Sequence, residues 1–276
     1  MTTMPTGLRL VLCLLWLSAG PAAAHCTPDH VFETVRPGVL SVAAPHLQPY
    51  SVPRPDGTLG GVDGEIVNRI AQSNCLSVRV VPVDQGAALQ YVISGRADLT
   101  LGDWYRTAAR ARVLGLSAPL YLDEMGLFSA KGLRRLADLS GLRVGSVQNY
   151  AWVRDLKLLF AADLTLFPNA AALEAALESG QVEVGIDSYG TGLVGRARGD
   201  YAGLFIERAE PDPRVEASIR PLQAGLPYDR SNPRLGAALD AAIAEMQASG
   251  EIARILEAHG LDPAAARTGP PRLTGG

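Results

Sequence analysis

The chain has few of the residues that build metal and redox centres. It contains three cysteines and four histidines in 276 residues, and the histidines lack the spacing of metal ligands. The net charge is only −3, and the arginines are scattered singly rather than grouped in a basic block. Such a composition argues against nucleic acid or a membrane surface as a partner. We therefore expect no metal, no cofactor and no nucleic acid, and a small molecule or a protein as the partner.

Long apolar runs are absent beyond the N-terminus. Arg9 precedes an apolar run from Leu10 to Leu17, and the small residues Ala22, Ala23 and Ala24 follow it. This order is typical of a secretory signal peptide with a cleavage site after its small residues. The run is too short for a stable membrane anchor. We predict a signal peptide over residues 1–24 and a soluble mature protein exported to the periplasm.

The cysteines support this interpretation. Cys13 lies inside the predicted signal peptide, so the mature chain retains Cys26 and Cys75. An even pair in an oxidising compartment favours a disulfide. The alternative is two unrelated thiols, with Cys75 buried.

The rest of the sequence predicts an α/β protein. Apolar strands over residues 38–43, 76–83 and 97–101 alternate with helices, of which the first begins near Asp63, a candidate capping residue. A pattern of helix stop, turn and strand ending in an acid occurs at residues 94–103 and again at 179–187. We interpret the repeat as two similar lobes that face one another.

Polar and aromatic residues crowd the carboxyl end of the strand that begins at Ala97. They are Asp103, Trp104, Tyr105, Thr107 and Arg110. Ligands of open α/β sheets bind at such strand ends, and a hydroxyl with a guanidinium three residues later can share one side of a helical turn. The pattern predicts a carboxylate clamp made by Thr107 and Arg110. An ordinary strand and helix with a surface arginine is the alternative.

The same stretch resembles a known family. A T-x-x-R motif followed by S-x-P-x-Y, formed by Thr107, Arg110, Ser117, Pro119 and Tyr121, is similar to the family 3 solute-binding proteins, the periplasmic receptors of polar amino-acid ABC importers. The resemblance extends to an aromatic loop at Pro49-Tyr50 ahead of the Asp56-Gly57 turn, to the acid Asp187, and to the C-terminal helices.

The resemblance implies a two-lobed type II periplasmic binding fold with a ligand cleft between the lobes. Residues 25–122 and 222–262 would form lobe 1, residues 123–221 lobe 2, and residues 263–276 a disordered tail. The chain would cross between the lobes near residues 121–126 and 219–226.

The resemblance also implies that a monomer captures a small amino acid or related zwitterion for the permease of an ABC importer. Arg110 and Thr107 would hold the ligand carboxylate and Asp187 its ammonium group. Tyr50 and Trp104 would cover apolar ligand surface, and Asp103 would select a cationic side chain or serve only as a turn acid.

Two departures from the family pattern concern the pocket. Tyr105 stands where a small hydroxyl residue is common, and Asn149-Tyr150 replaces a Gly-Thr or Gly-Ser pair. We predict that Asn149 caps a helix whose amides face the ligand, with the Tyr150 ring beside it. Gly190, Gly192 and Gly195 match a dinucleotide-binding fingerprint, but we attribute them to close packing.

Other functions remain open at this stage. One is an exported enzyme on the same fold, similar to cyclohexadienyl dehydratase, since a fold does not determine a function. No hydrolase or metalloprotease motif supports catalysis, and we expect a protein that is not an enzyme. The other is a solute-sensing or accessory protein of a periplasmic system.

Overall fold

The computed structural model describes residues 1–2 and 26–275. The predicted signal peptide, apart from its first two residues, lies outside the described residues. Cys26 and Cys75 are joined by a disulfide, which confirms the predicted pair. Within residues 26–275 no helix combines the length and apolar character needed to span a bilayer.

The first part of the chain alternates short strands and helices around two longer strands. Its elements are β1 (Val39–Ala44), β2 (Val52–Pro53), β3 (Leu59–Gly60), α1 (Val62–Ser73), β4 (Ser77–Pro82), α2 (Gln85–Ile93), β5 (Leu99–Thr100), β6 (Trp104–Tyr105), α3 (Ala108–Ala111) and β7 (Gly115–Leu116).

The middle of the chain repeats the alternation. Its elements are β8 (Leu122–Asp123), β9 (Met125–Ser129), β10 (Val144–Val147), α4 (Val153–Phe160), β11 (Leu164–Phe167), α5 (Ala170–Glu178), β12 (Val184–Ser188), α6 (Tyr189–Arg198), β13 (Phe205–Arg208) and α7 (Glu216–Ile219), with 3-10 turns at Leu136–Leu139 and Ala161–Asp163.

The last part of the chain packs against the first part. It consists of β14 (Leu222–Gly225), β15 (Pro227–Tyr228), α8 (Pro233–Ala248), α9 (Glu251–Ala258) and a 3-10 turn at Pro263–Ala266. Apolar residues of α8 and α9 share one core with β1 and α1, so these C-terminal helices complete the first lobe.

Two five-stranded sheets form the two lobes. The first has the order β4-β1-β5-β15-β7 and the second β11-β10-β12-β9-β13. In each, the second strand (β1 or β10) pairs in parallel with both of its neighbours. Between them, β14 pairs antiparallel with β6 and β8, so the two segments that connect the lobes are hydrogen-bonded to each other.

The predicted repeat is visible in the backbone. Helices α2 and α5 end at Ile93 and Glu178 and are followed by Ser94 and Ser179. The next residues, Gly95 and Gly180, have φ values of 66° and 70°. Glycine adopts this left-handed conformation without the strain that a side chain brings. The next strands in the chain, β5 and β12, carry their carboxyl ends toward the region between the lobes.

The three glycines of the dinucleotide-like motif lie in α6. A Cβ atom at Gly192 would overlap the Phe128 ring, and one at Gly195 would press on the Tyr201 ring. A Cβ atom at Gly190 would overlap the Tyr50 hydroxyl of the first lobe. Close packing on both sides of the helix therefore accounts for these residues.

The C-terminal segment differs from the disordered tail that we predicted. The Gln223 amide donates to the carbonyls of Thr268 and Pro270 at 2.9 and 2.8 Å, and its oxygen accepts from Arg272 N at 2.8 Å. Thr274 pairs with Thr107 as a parallel bridge. We predicted disorder from the proline and glycine content of this segment. Its backbone is ordered instead by hydrogen bonds to the buried Gln223 side chain, a contact that the local sequence does not reveal.

Candidate functional site

Asp63 organises the loop at the carboxyl end of β5. Its carboxylate accepts hydrogen bonds from Gly102 N at 2.8 Å, Asp103 N at 3.0 Å and the Tyr121 hydroxyl at 2.7 Å. Burial raises the pKa of Asp63, while these three hydrogen bonds act in the opposite direction. The prediction that Asp63 caps α1 is wrong, because the helix begins at Val62 without a side-chain cap and the carboxylate reaches across to the loop instead.

Tyr105 and Asp123 form a second buried pair next to this loop. The Tyr105 hydroxyl donates to Asp123 Oδ2 at 2.6 Å. Asp103 lies beside them with 8% of its surface exposed, and its Oδ1 atom has no hydrogen-bond partner among the described residues. Burial, and then the neighbouring Asp123 carboxyl, raise the pKa of Asp103 well above its usual value.

Arg110 is held from several directions. One guanidinium nitrogen donates to the Tyr105 carbonyl at 2.6 Å and another to the Asn149 carbonyl in the second lobe at 2.9 Å. The guanidinium carbon stands 4.8 Å from the centre of the Trp104 ring, a cation–π arrangement. Burial lowers the pKa of Arg110 to about 10. The Thr107 hydroxyl accepts from Arg110 N at 3.2 Å and so caps α3, while the carboxylate clamp of Thr107 and Arg110 stays a prediction.

Asp187 is the buried acid of the second lobe. It is the last residue but one of β12 and has no exposed surface. Its Oδ1 atom accepts from Ser188 N at 2.7 Å, and its Oδ2 atom has no partner among the described residues. Burial raises the pKa of Asp187 to about 7, and contacts with Ser188 N and Tyr150 oppose the rise. Asp187 does not cap the following helix, because Ser188 is the cap of α6 and accepts from Thr191 N.

Tyr50 connects the two lobes. Its ring stacks on Tyr121 with centroids 5.3 Å apart, and its hydroxyl lies 3.4 Å from Ser188 Oγ. This contact and the hydrogen bond from Arg110 to the Asn149 carbonyl are two separate polar contacts across the cleft.

Asn149 has a different role from the predicted cap. Helix α4 begins at Val153, after Trp152, and has no side-chain cap. Asn149 instead adopts a φ of 67° and presents its carbonyl to Arg110. An asparagine tolerates this left-handed turn, and the turn, rather than a helix start, faces the first lobe.

Four of the eight predicted ligand residues line one cavity between the lobes. The cavity measures about 420 Å³, within the range of small-molecule sites, and its lining includes Thr107, Arg110, Asn149 and Tyr150 together with Thr274 and Gly275 of the tail. Tyr50 lines a separate cavity of about 250 Å³ beside Tyr121 and Asp123. Asp103, Trp104 and Asp187 are not among the lining residues of either cavity and lie buried.

Sequence reasoning missed two members of the buried group. Asp63 and Asp123 both bind side chains or amides of the central stretch. Asp123 follows the S-x-P-x-Y motif by two residues, and Asp63 follows the Asp56-Gly57 turn in a G-x-D sequence. The sequence could have indicated these two residues only by their positions next to those motifs. A single aspartate forms no periodic pattern that would mark it as a functional residue.

The comparisons with known proteins concern the family and the fold. The sequence profile of the bacterial extracellular solute-binding proteins, family 3, matches residues 40–262. The chain belongs to this family. Among curated proteins, none matches its sequence significantly.

Solved structures share the fold of this family 3 protein. An ancestral arginine-binding protein bound to glutamine superposes with a TM-score of 0.70 at 21% identity, covering 80% of this chain and 97% of that one. AbpA of Streptococcus pneumoniae bound to L-arginine gives 0.69 at 23% identity, covering 83% and 96%. EhuB in complex with hydroxyectoine gives 0.70 at 17% identity, covering 83% and 91%. At such identities the likeness concerns the two-lobed fold.

Proposed function

We propose that this family 3 protein captures a small amino acid or related zwitterion in the periplasm and delivers it to the permease of an ABC importer. The observation that carries the proposal is Asp187, a fully buried carboxylate at the lobe interface with one oxygen unpartnered among the described residues. A buried carboxylate is costly unless it is paired. A ligand ammonium group supplies that pair.

The other half of the zwitterion lies near Arg110. This guanidinium borders the inter-lobe cavity with Thr107 and donates to two backbone carbonyls. A ligand carboxylate is a stronger acceptor than a carbonyl and fits a guanidinium in a bidentate manner. On ligand entry, Arg110 exchanges a carbonyl for the carboxylate, and the Asn149 turn moves with it.

A thermal-shift screen of the purified protein against amino acids, amines and small organic acids, followed by calorimetry, tests this proposal. A cognate solute at a hundredfold over its Kd adds about 2.7 kcal/mol to folding stability. A shift with carboxylates that lack an amine, and none with zwitterions, contradicts the role of Asp187.

Arg110→Lys provides the matching variant. It keeps the charge and loses the planar fork, so affinity should fall tenfold or more, about 1.4 kcal/mol. Arg112→Lys, an exposed neighbour, is the control and should bind like the wild type. If Arg110→Ala binds the solute with wild-type affinity, the proposed carboxylate clamp is wrong.

An enzyme remains the second candidate because of one observation. The pKa of Asp187, raised by burial to about 7, suits a general acid or base at neutral pH. Incubating the protein with each solute that shifts its melting point, followed by mass spectrometry, distinguishes the two: an unchanged solute supports capture, and a product supports catalysis.

A further inference from the structure

The C-terminal segment contacts both lobes through two consecutive residues. Thr274 N donates to Arg106 O and Thr274 O accepts from Ala108 N, both at 3.0 Å. These two partners lie at the start of α3, which leads into β7 of the first sheet. The next residue, Gly275, donates from its amide to Glu216 Oε2 at 2.9 Å.

Glu216 belongs to the second lobe. It is the first residue of α7, and its neighbours Val215 and Ala217 are buried in one core with residues of β9, β10 and β12. Consecutive Cα atoms are only 3.8 Å apart, so the single peptide link between Thr274 and Gly275 leaves little slack. A rotation that separates α7 from α3 must therefore break either the contact with Glu216 or the pairing of Thr274.

The segment is anchored at the strands that connect the lobes. Gln223 of β14 binds Thr268, Pro270 and Arg272, and the Arg272 guanidinium donates to Pro221 O. Because β14 pairs with both β6 and β8, this end of the segment stays near the hinge of any lobe movement. Its other end lies between the lobes and experiences the movement directly.

Backbone chemistry explains why the segment binds in this way. A helix leaves its first amides without intrahelical partners, and Ala108 N at the start of α3 is such an amide. Pro270 and Pro271 restrict the backbone and disfavour a helix, so the segment keeps its carbonyls and amides for other partners. A carboxylate is a strong acceptor for a backbone amide, which accounts for the contact with Glu216.

The same two residues line the inter-lobe cavity of about 420 Å³. Thr274 and Gly275 border it together with Thr107 and Arg110 of the first lobe and Tyr150 of the second. The segment thus closes one side of the cavity while it joins the two lobes.

We propose that residues 273–275 form a latch that holds the lobes together and must release Glu216 before the cleft can open. The latch lies beyond residues 40–262, the part of the chain that matches the family. It biases the equilibrium between closed and open arrangements of the lobes. It concerns their movement rather than the chemistry of the solute, so it stands or falls independently of the proposed function.

A distance measurement between the lobes, made without any added solute, tests the latch. Nitroxide labels are placed at Gln90→Cys on α2 and Lys157→Cys on α4, both at exposed positions, with the native disulfide kept oxidised. Double electron–electron resonance should give mainly the shorter distance in the full chain. Removing residues 273–276 should add a population at longer distance. An unchanged distance distribution overturns the proposal.

This truncation separates the latch from the anchor. It retains Thr268, Pro270 and Arg272, and therefore all three hydrogen bonds with Gln223. It removes only the contacts that join α3 to α7.

Point variants test the individual contacts. Glu216→Ala removes the acceptor and should lengthen the distance as the truncation does, whereas Glu216→Gln keeps an oxygen and should lengthen it less. Thr274→Pro removes the amide hydrogen that Arg106 O accepts and should also lengthen the distance.

Two controls accompany these variants. Thr274→Ala keeps both backbone hydrogen bonds, and Asp138→Ala removes another exposed acid of the second lobe. Both should give the distance of the full chain. If they lengthen it as much as Glu216→Ala does, the latch is wrong.

Hydrogen exchange distinguishes opening of the lobes from loss of the fold. Lobes that separate as rigid bodies keep the protection of amides in β1 and β10, whereas unfolding exposes these amides to exchange. A longer distance with unchanged exchange in both strands supports the latch. A longer distance that appears only together with faster exchange there contradicts it.

Discussion

At the scale of single residues, buried carboxylates dominate the chemistry of the cleft. Asp63 is satisfied by three donors, whereas Asp103 and Asp187 each keep an oxygen with no partner within the part of the chain that the structure describes. The same residue type therefore serves two purposes. Asp63 holds the loop, and Asp187 is the acid to which we assign a ligand contact in the proposed function.

Asp187 should make the stability of the ligand-free protein depend on pH. Its folded-state pKa of about 7 lies above the ordinary value of roughly 4, so the folded protein binds more protons than the unfolded chain between these values. Its contribution to the free energy of unfolding is present at low pH and is lost as the pH rises toward 7. Urea unfolding at pH 5, 6, 7 and 8 should show this decline.

Asp187→Asn supplies the comparison for that measurement. An amide does not titrate, so the decline should become shallower, and the variant should equal or exceed the wild type in stability at pH 8. Asp138→Asn should follow the wild-type curve. An identical pH slope in Asp187→Asn would show that Asp187 is ionised in the folded protein at all these pH values.

At the scale of elements, the C-terminal segment is an extended stretch that is hydrogen-bonded to both lobes. Residues 268–275 lie beyond the family match at residues 40–262 and bind Gln223 of β14 by three hydrogen bonds. Gly275 N also donates to Glu216 of α7 at 2.9 Å, while Thr274 O accepts from Ala108 N at 3.0 Å. The segment thus contacts both lobes beside the inter-lobe cavity.

Removing residues 268–276 should destabilise the protein through Gln223. This side chain is 2% exposed, and each of its groups left without a partner costs about 1–3 kcal/mol. Denaturant unfolding of the shortened protein measures the loss. Water molecules that take the place of the tail and bind the Gln223 amide would reduce this loss of stability.

Gln223→Met identifies the cause of that loss. In the shortened protein it removes the unpaired amide and should restore part of the stability, whereas in the full chain it leaves the tail's own groups unpaired and should destabilise. A shortened protein as stable as the full chain would mean that the tail contacts add nothing to folding.

At the scale of the whole molecule, the disulfide closes a loop with a sequence separation of 49 residues. It fastens the N-terminal segment to the end of α1, where Asp29 N donates to Ser73 O at 3.1 Å and His30 N to the Asn74 side chain at 2.8 Å. Closing a loop of this length stabilises by roughly 4 kcal/mol in the chain-entropy model. Cys26→Ser with Cys75→Ser should lower the free energy of unfolding toward that extent.

Intact-mass analysis after thiol alkylation provides the check on that prediction. The wild-type protein should remain unlabelled without reductant and take up two labels after reduction and unfolding. Labelling of both cysteines without reductant would show that the purified protein lacks the bond, and the stability comparison would then show no difference.

The sequence by itself determined the class of protein and the order of its parts. Hydrophobic periodicity and glycine stops predicted the alternating strands and helices, because both act over a few neighbouring residues. The T-x-x-R and S-x-P-x-Y motifs identified the stretch around Arg110, and the repeat at Gly95 and Gly180 predicted two lobes. The strand β9, which runs antiparallel between β12 and β13, was not predicted, since nothing in its five residues distinguishes it from a connecting segment.

Only the tertiary structure decided what the polar residues contact. Asp63 holds a loop 39 residues away, Asn149 offers its carbonyl to Arg110, and Gln223 orders the tail. Each of these contacts joins segments that are distant in the chain, and each satisfies a buried group whose cost depends on burial. Burial is a property of the folded protein, so these roles become visible only when the two sheets and their connecting strands are in place.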